Sequence, residues 1–255
     1  YVAEAMAANL GPGFIGTSNA FLAYKHDLEA IGTNAHEIPM VLAALADDDQ
    51  ALKASQYRVL ELWQQTYDGA LRIMLPDTFG TTQFLQGAPD WAANWTGQRI
   101  DSKDPYVAGD EYIEWLKARG REPGDKLMIA SDGLDVDNIL GLHAYFGGTI
   151  AGGIGPRDFV SAADFSDASK WKPGRRIRFS AGWGTLLTND FRGCDPTDSD
   201  AFAPISLISK VTSAEGRPAV KLSDNYAKAL GPQEEIERYR RVFGTKGMSN
   251  LPVVT

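Results

Sequence analysis

The chain is poor in the residues that carry reactive nitrogen and sulfur: one cysteine and three histidines in 255 residues. With Cys194 alone no intrachain disulfide can form, a composition that suits a reducing compartment, and the expected location is cytoplasmic. Cys194 sits in "FRGCDPTDSD", among turn formers and acids that disfavour a thiolate. No apolar run approaches the roughly 18–20 residues that span a bilayer. Positive charge is also short, since 25 Lys and Arg against 33 Asp and Glu leave a net charge of −8. That balance argues against a generic nucleic-acid or anionic-membrane binder, which presents a basic surface. It leaves room for a small anionic ligand, which needs only a few local cations and backbone amides. Repeats, low-complexity segments, a GxxxxGK[ST] loop, a GxGxxG fingerprint and zinc-like His/Cys spacing are all absent.

What is present is an alternation of helical and strand-like segments. Val2, Met6 and Leu10 lie at i, i+4 and i+8, so a helix is expected to be under way at the start. "GTSNAFLAYKHDLEA" predicts a helix capped by Ser18 or Asn19, with Phe21, Tyr24 and Leu28 on one face. "QALKASQYRVLELWQQTYDG" predicts another, with Leu52, Val59, Trp63 and Tyr67 in a stripe and Gly69 as the stop. Asp104, Pro105 and Gly120 bound a third, and "DVDNILGLHAYF" a fourth. "ALRIML", "KLMIA" and "RIRFSAG" predict buried strands, and "ISLISKVTSAEGRPAVKLSD" a hairpin around Glu215-Gly216. Such alternation implies a parallel sheet with crossover helices, as an α/β barrel or a doubly wound open sheet. Either plan gathers the strand-end residues at one edge, where sites form.

Four stretches offer chemistry, each with a plainer structural reading beside it. In "AIGTNAHEIP", Pro39 fits the first turn of a helix, which places His36 just before a helix N-terminus, where positive partial charge gathers. A neutral imidazole there suits nucleophilic attack on a phosphoryl group, with Glu37 or another acid orienting its second nitrogen. A hydrogen-bonded structural histidine is the alternative, while His26 and His143 lie within amphipathic helices. Arg99 and Asp101, two apart on an extended strand, share a face, so Arg99 is either a fork for a ligand carboxylate or half of a surface ion pair. Asp132 in "ASDGLDVD" suits sugar hydroxyls or hydrated Mg²⁺, while Asp135 caps the next helix. "SAGWGTLLTND" is either a phosphate-binding loop or a tight strand-to-helix turn.

Taken together, "FIGTSNAFLA", "GTNAHE", "RIDSKDP", "ASDGLDV", "SAGWGTLLTND" and "KLSD", in that order from about residue 14 to residue 224, resemble the nicotinate phosphoribosyltransferases. The resemblance implies the irregular TIM-like α/β barrel of type II phosphoribosyltransferases, here with a late β-hairpin. It implies ATP-coupled transfer of phosphoribosyl from phosphoribosyl pyrophosphate to nicotinate, giving nicotinate mononucleotide and pyrophosphate, with Mg²⁺ and a homodimer. His36 matches the phosphorylated histidine of the family, with Asp101 and Glu37 as catalytic neighbours. Thr33 and Arg99 match nicotinate contacts. Ser131, Asp132, Gly133, Gly182, Gly184 and Thr185 match the phosphoribosyl pyrophosphate site, and Asp101 or Asp132 the acids near the metal. Family members carry a further N-terminal domain, so residues 1–255 are expected to be the C-terminal barrel part of a longer chain, with 205–255 packing back on that domain. Two departures stand out: Lys103 replaces a glycine usual in the family, and residues 147–174 make a longer link than usual. Two alternatives stay open: a nicotinamide phosphoribosyltransferase, which selective use of the free acid would eliminate, and a catalytically silent ligand-binding fragment.

Overall fold

Asn19, Asp48, Asp104 and Asp135 cap helix starts with their short polar side chains in the computed structural model, which describes residues 2–147, 177–184, 189, 191–198, 201–205 and 207–250. After α1 (Val2–Leu10), β1 (Gly16–Thr17) leads into α2 (Ala20–His26), and β2 (Glu29–Ala30) returns parallel to β1. Of the two candidate caps of α2, Asn19 takes the role, its Oδ1 accepting from the Leu22 N–H at 3.0 Å. Phe21 and Tyr24 do share a face of α2, but it is the solvent face, 68% and 89% exposed. The helix packs instead through the small Ala23. α3 (Glu37–Ala44) has Pro39 in its first turn, as the sequence predicts, and packs on α4 (Asp49–Thr66). α4 ends before Gly69: Tyr67 is already extended, and Gly69, at positive φ, opens a separate turn. The Trp63 indole N–H, bonded to the Leu71 carbonyl at 2.8 Å, holds that fold-back.

The main sheet then builds by regular β–α steps. β3 (Ile73–Met74), α5 (Thr81–Gly87), β4 (Gly97–Ile100), α6 (Pro105–Ala118), β5 (Leu127–Ala130), α7 (Val136–Gly147) and β6 (Arg178–Ala181) follow one another. The strands are all parallel, in the order β3-β4-β5-β6. Sequential parallel order requires crossover helices, and α5, α6 and α7 supply them, α6 packing against both of the others. The expected α/β class is therefore the observed one; among the described residues this sheet has four strands. Met74, Ile100 and Met128 from the strands meet Leu85, Tyr112, Leu116 and Phe146 from the helices in one core. Full burial of each large apolar side chain contributes about 1.5–3 kcal/mol. Strand alternation then leaves Arg99 on the opposite face from Ile100 and Gln98.

The predicted hairpin forms from β7 (Ser213–Ala214) and β8 (Arg217–Pro218), with Glu215 and Gly216 both at positive φ in its turn. Beyond it the chain runs inward. Val220 and Leu222 join Leu52, Phe79 and the Tyr239 and Phe243 rings of α8 (Gln233–Phe243) in a second core. Within residues 205–255, Val220, Leu222 and α8 pack on α4 and the turn after β3, and β7 packs on α3, while Ile205, Leu207 and Ile208 are exposed. Residues 148–176, nearly all of the long link, and Thr185 lie outside the described residues. Among the described residues no helix is long and apolar enough to cross a membrane.

Candidate active site

The C-terminal ends of β3, β4, β5 and β6 bring the motif residues to one edge. His36 arrives there from the start of α3, where it is 4% exposed. Its Nδ1 lies 2.9 Å from the Thr78 hydroxyl oxygen, and its Nε2 lies 3.0 Å from Asp101 Oδ2. A carboxylate only accepts, so Nε2 carries the proton and Nδ1 the lone pair, which accepts from the Thr78 hydroxyl; the tautomer is assigned from these partners. Asp77, just before Thr78 and 1% exposed, places Oδ1 3.8 Å from Nε2.

Asp101 joins the histidine to the arginine. Its Oδ1 accepts from Arg99 Nη2 and lies 3.2 Å from the Ser131 hydroxyl. Arg99 Nε donates to Ser131 Oγ at 2.7 Å, and Nη1 reaches the Thr33 hydroxyl at 3.3 Å. Burial alone would raise the Asp101 carboxyl. The His36 hydrogen bond and the Arg99, His36 and Lys221 charges outweigh it and hold the group well below the usual carboxylate range. The pair read as either a ligand fork or a surface ion pair is thus a partly buried bridge between β4, β5 and the loop before α3.

Behind this row lies a second layer. The Ser102 hydroxyl donates to Asp77 Oδ2 at 2.6 Å and accepts from the Asp224 N–H at 3.1 Å. Asp224 in turn accepts from Thr81 N–H and Oγ1–H at 2.8 and 2.6 Å. Burial, then the charge of Asp77, pushes the Asp224 carboxyl up to about 7, against the Thr81 hydrogen bonds and the charge of Lys103. The Thr78 carbonyl accepts from the Leu222 and Ser223 N–H groups at 2.9 and 3.1 Å. The "KLSD" stretch thereby clamps the turn that presents Thr78 to His36.

Several expected residues fall elsewhere. The Glu37 carboxylate bonds Lys210 Nζ at 2.9 Å rather than the imidazole, and Asp101 fills the orienting position. Burial opposes ionisation of Glu37, but the Lys210 hydrogen bond and its own backbone hydrogen bond hold it below the usual range. Asp132, at positive φ, pairs with Lys228 at 2.9 Å, apart from the His36–Asp101 pair. Ser131, Asp132 and Gly133 follow β5, and Gly182 and Gly184 follow β6, with Gly182 N–H bonded to the Ala130 carbonyl at 2.8 Å. Lys103 reaches no open loop: Nζ binds Thr82 Oγ1 at 2.8 Å and Glu111 Oε2 at 2.5 Å. His26 pairs with Glu4 at 3.4 Å, and His143 rests edge-on against Phe179. Thr78, Asp77 and Ser102 gain roles from the fold that their sequence positions do not announce. Asp77-Thr78 directly follows a buried strand, and Ser102 lies within the "RIDSKDP" stretch.

The sequence pattern of the family described as nicotinate phosphoribosyltransferase (NAPRTase) matches residues 1–172. That span includes His36, Asp77, Thr78, Arg99, Asp101 and Ser131. The chain is also similar to the crystal structure of nicotinate phosphoribosyltransferase from Vibrio cholerae: the TM-score is 0.72 and the identity 30%, covering 96% of this chain and 51% of that one. Against nicotinate phosphoribosyltransferase from Porphyromonas gingivalis the TM-score is 0.67 and the identity 28%, covering 90% and 51%. The chain spans about half the length of these solved structures.

Proposed function

The chain belongs to the nicotinate phosphoribosyltransferase family, and from that membership we propose that it serves ATP-coupled transfer of phosphoribosyl from phosphoribosyl pyrophosphate to nicotinate, forming nicotinate mononucleotide and pyrophosphate. One observation carries the reading: a buried His36 whose Nε2–H is held by Asp101 while Nδ1 keeps its lone pair. This is the arrangement of an imidazole made nucleophilic by an orienting carboxylate. The nitrogen attacks the γ-phosphorus of ATP, a P–N bond forms, the bond from that phosphorus to the bridging oxygen breaks, and ADP leaves. Thr78 turns its hydroxyl aside as the nitrogen is used.

Nicotinate is an anion, and Arg99 Nη1 with the Thr33 hydroxyl is the part of the Arg99 network with its longest, weakest contact. A ligand carboxylate gains more there than a neutral amide does, which supports the free acid over nicotinamide as substrate. Displacement of pyrophosphate at the ribose passes through an oxocarbenium-like state, so the carboxylates act by electrostatics and positioning. Mg²⁺ belongs to the proposal, where it would neutralise the substrate phosphates. The fit is good on one point: Asp77 Oδ1 is buried with no hydrogen-bond partner, and ligand atoms of Asp77, Asp101 and His36 lie within 4.8 Å of one another. Mg²⁺ prefers carboxylate oxygen and water to imidazole, so Asp77 and Asp101 would hold it. A homodimer and a cytoplasmic setting complete the reading.

The test is incubation of the full-length protein with γ-labelled ATP and Mg²⁺, with and without His36→Ala. We expect acid-labile label on the protein that the substitution abolishes. Label equal in both, or absent from both, returns His36 to a structural role and leaves an uncoupled transferase or a silent binding fragment.

A further inference from the structure

Two residues before His36, Asn34 turns its side chain into the protein. It is 2% exposed, and its Oδ1 has no hydrogen-bond partner among the described residues. With Thr78 it lines a buried cavity of about 10 Å³. Three residues on the cavity wall are polar, Asn34, Gln56 and Thr78, and the others are apolar. Gln56 is engaged in a reciprocal amide pair with Gln83 at 2.9 and 3.0 Å, so the Asn34 carbonyl is the group that lacks a donor. A carbonyl oxygen buried without a donor is costly and points to something that supplies one. The cavity is close to the least volume that admits one water, and a buried water takes about three polar partners.

Thr78 connects this cavity to the imidazole. Its hydroxyl, 2.9 Å from His36 Nδ1, donates to that nitrogen. Once Nδ1 forms a P–N bond its lone pair is spent, and a hydroxyl on a residue only 2% exposed has lost its acceptor. The Thr78 backbone is clamped by the Leu222 and Ser223 N–H groups, so the hydroxyl must find a new acceptor within its own reach. The cavity that Thr78 lines is within that reach. We propose that Asn34 is a positioning residue for phosphorylation of His36: it holds one water in the cavity, and that water accepts the Thr78 hydrogen when Nδ1 is used. Before the step the water donates to Asn34 Oδ1 and to Thr78 Oγ1. After it the water keeps its bond to Asn34, while its second hydrogen turns away and the Thr78 O–H donates to its oxygen. No proton changes owner; only O–H bonds rotate. The inference rests on the reading of His36 as a phosphoryl acceptor, and it names the residue that lets Thr78 release the nitrogen.

The test compares full-length wild type, Asn34→Leu, Thr78→Val and the double variant, by the initial rate of acid-labile labelling at several concentrations of γ-labelled ATP with Mg²⁺. Leucine has about the shape of asparagine without its carbonyl. Asn34→Leu should lower the maximal labelling rate by about tenfold or more, because a buried hydroxyl is then left without an acceptor as the P–N bond forms. The half-saturating ATP concentration should stay where it is. In the Thr78→Val background there is no hydroxyl to turn, so adding Asn34→Leu should make no further difference. A role of Asn34 in folding alone would slow both backgrounds alike. That result, or equal rates in wild type and Asn34→Leu, overturns the proposal. A second readout needs no variant: in the wild type without ATP, a nuclear Overhauser effect should connect a long-lived buried water to the Thr78 methyl group. A cavity in which no such water is found overturns the proposal equally. Label on the wild type together with either failure removes this inference and leaves the proposed reaction. A wild type that takes no label removes the reaction itself, and with it the step that the water serves.

Discussion

Asp224 and Asp77 are buried carboxyls joined through Ser102, and the strain of holding both charges falls on Asp224. Its pKa of about 7 lies above the value of about 3.9 for an unfolded aspartate, so the folded state holds the proton more tightly. The sign follows: the contribution of this group to stability is whole below about pH 4 and erodes as pH rises toward 7. Asp101 works the opposite way, stabilising above the unfolded aspartate range and losing that effect only in strong acid. Asp224→Asn removes the ionisable group, so in metal-free buffer its urea midpoint should fall less between pH 5 and pH 8 than that of the wild type. An unchanged slope would assign the pH dependence to another group. At this scale the sequence shows His36, Arg99 and Asp101 as candidates but not their pairing. Residues 65 positions apart make the decisive hydrogen bond, and only the fold sets that distance.

Among the elements, β4 carries the most function on the fewest residues. Gly97, at its start, lies so close to β5 that an added Cβ would stand 2.0 Å from the Leu127 carbonyl oxygen. Gly97→Ala should therefore part β4 from β5, at a cost of about 1–3 kcal/mol or more, and move Arg99 and Asp101 with it. The expected outcome is a lower urea midpoint together with weaker ATP-dependent labelling; a variant as stable as wild type would contradict so close an approach of β4 to β5. The helices with side-chain caps were legible, because Asn19, Asp104 and Asp135 announce their starts locally. α5 carries no such local signal: it opens at Gly80, at positive φ, and the carboxylate that accepts from its first N–H, Asp224, lies 143 residues away. α8 was absent from the expectations although Ile236, Tyr239 and Phe243 space one face. Its partner ring, Phe79, lies more than 150 residues earlier and is invisible from the local pattern.

For the whole molecule, the second core is what braces the site. Phe79 directly follows the Asp77-Thr78 turn, stacks on Phe243 with centroids 4.4 Å apart, and meets Tyr239 edge-on at 5.6 Å. Phe243→Ala should cost about 3–5 kcal/mol, as other core Phe truncations do, and should loosen Thr78 on His36. Urea unfolding reads the first effect, and the rate of His36 labelling in the folded variant reads the second. A stability loss with unchanged labelling would separate the brace from the site. The sequence by itself determined the α/β class, most helix starts, the hairpin and the edge at which functional residues gather. These depend on periodicity, caps and turn residues, which act over a few positions. Only the tertiary structure decided that Asp101 rather than Glu37 orients His36, and that Lys103 is spent on Glu111. Such choices depend on which charged side chains the packed backbone brings within a few ångströms. No local pattern encodes that distance.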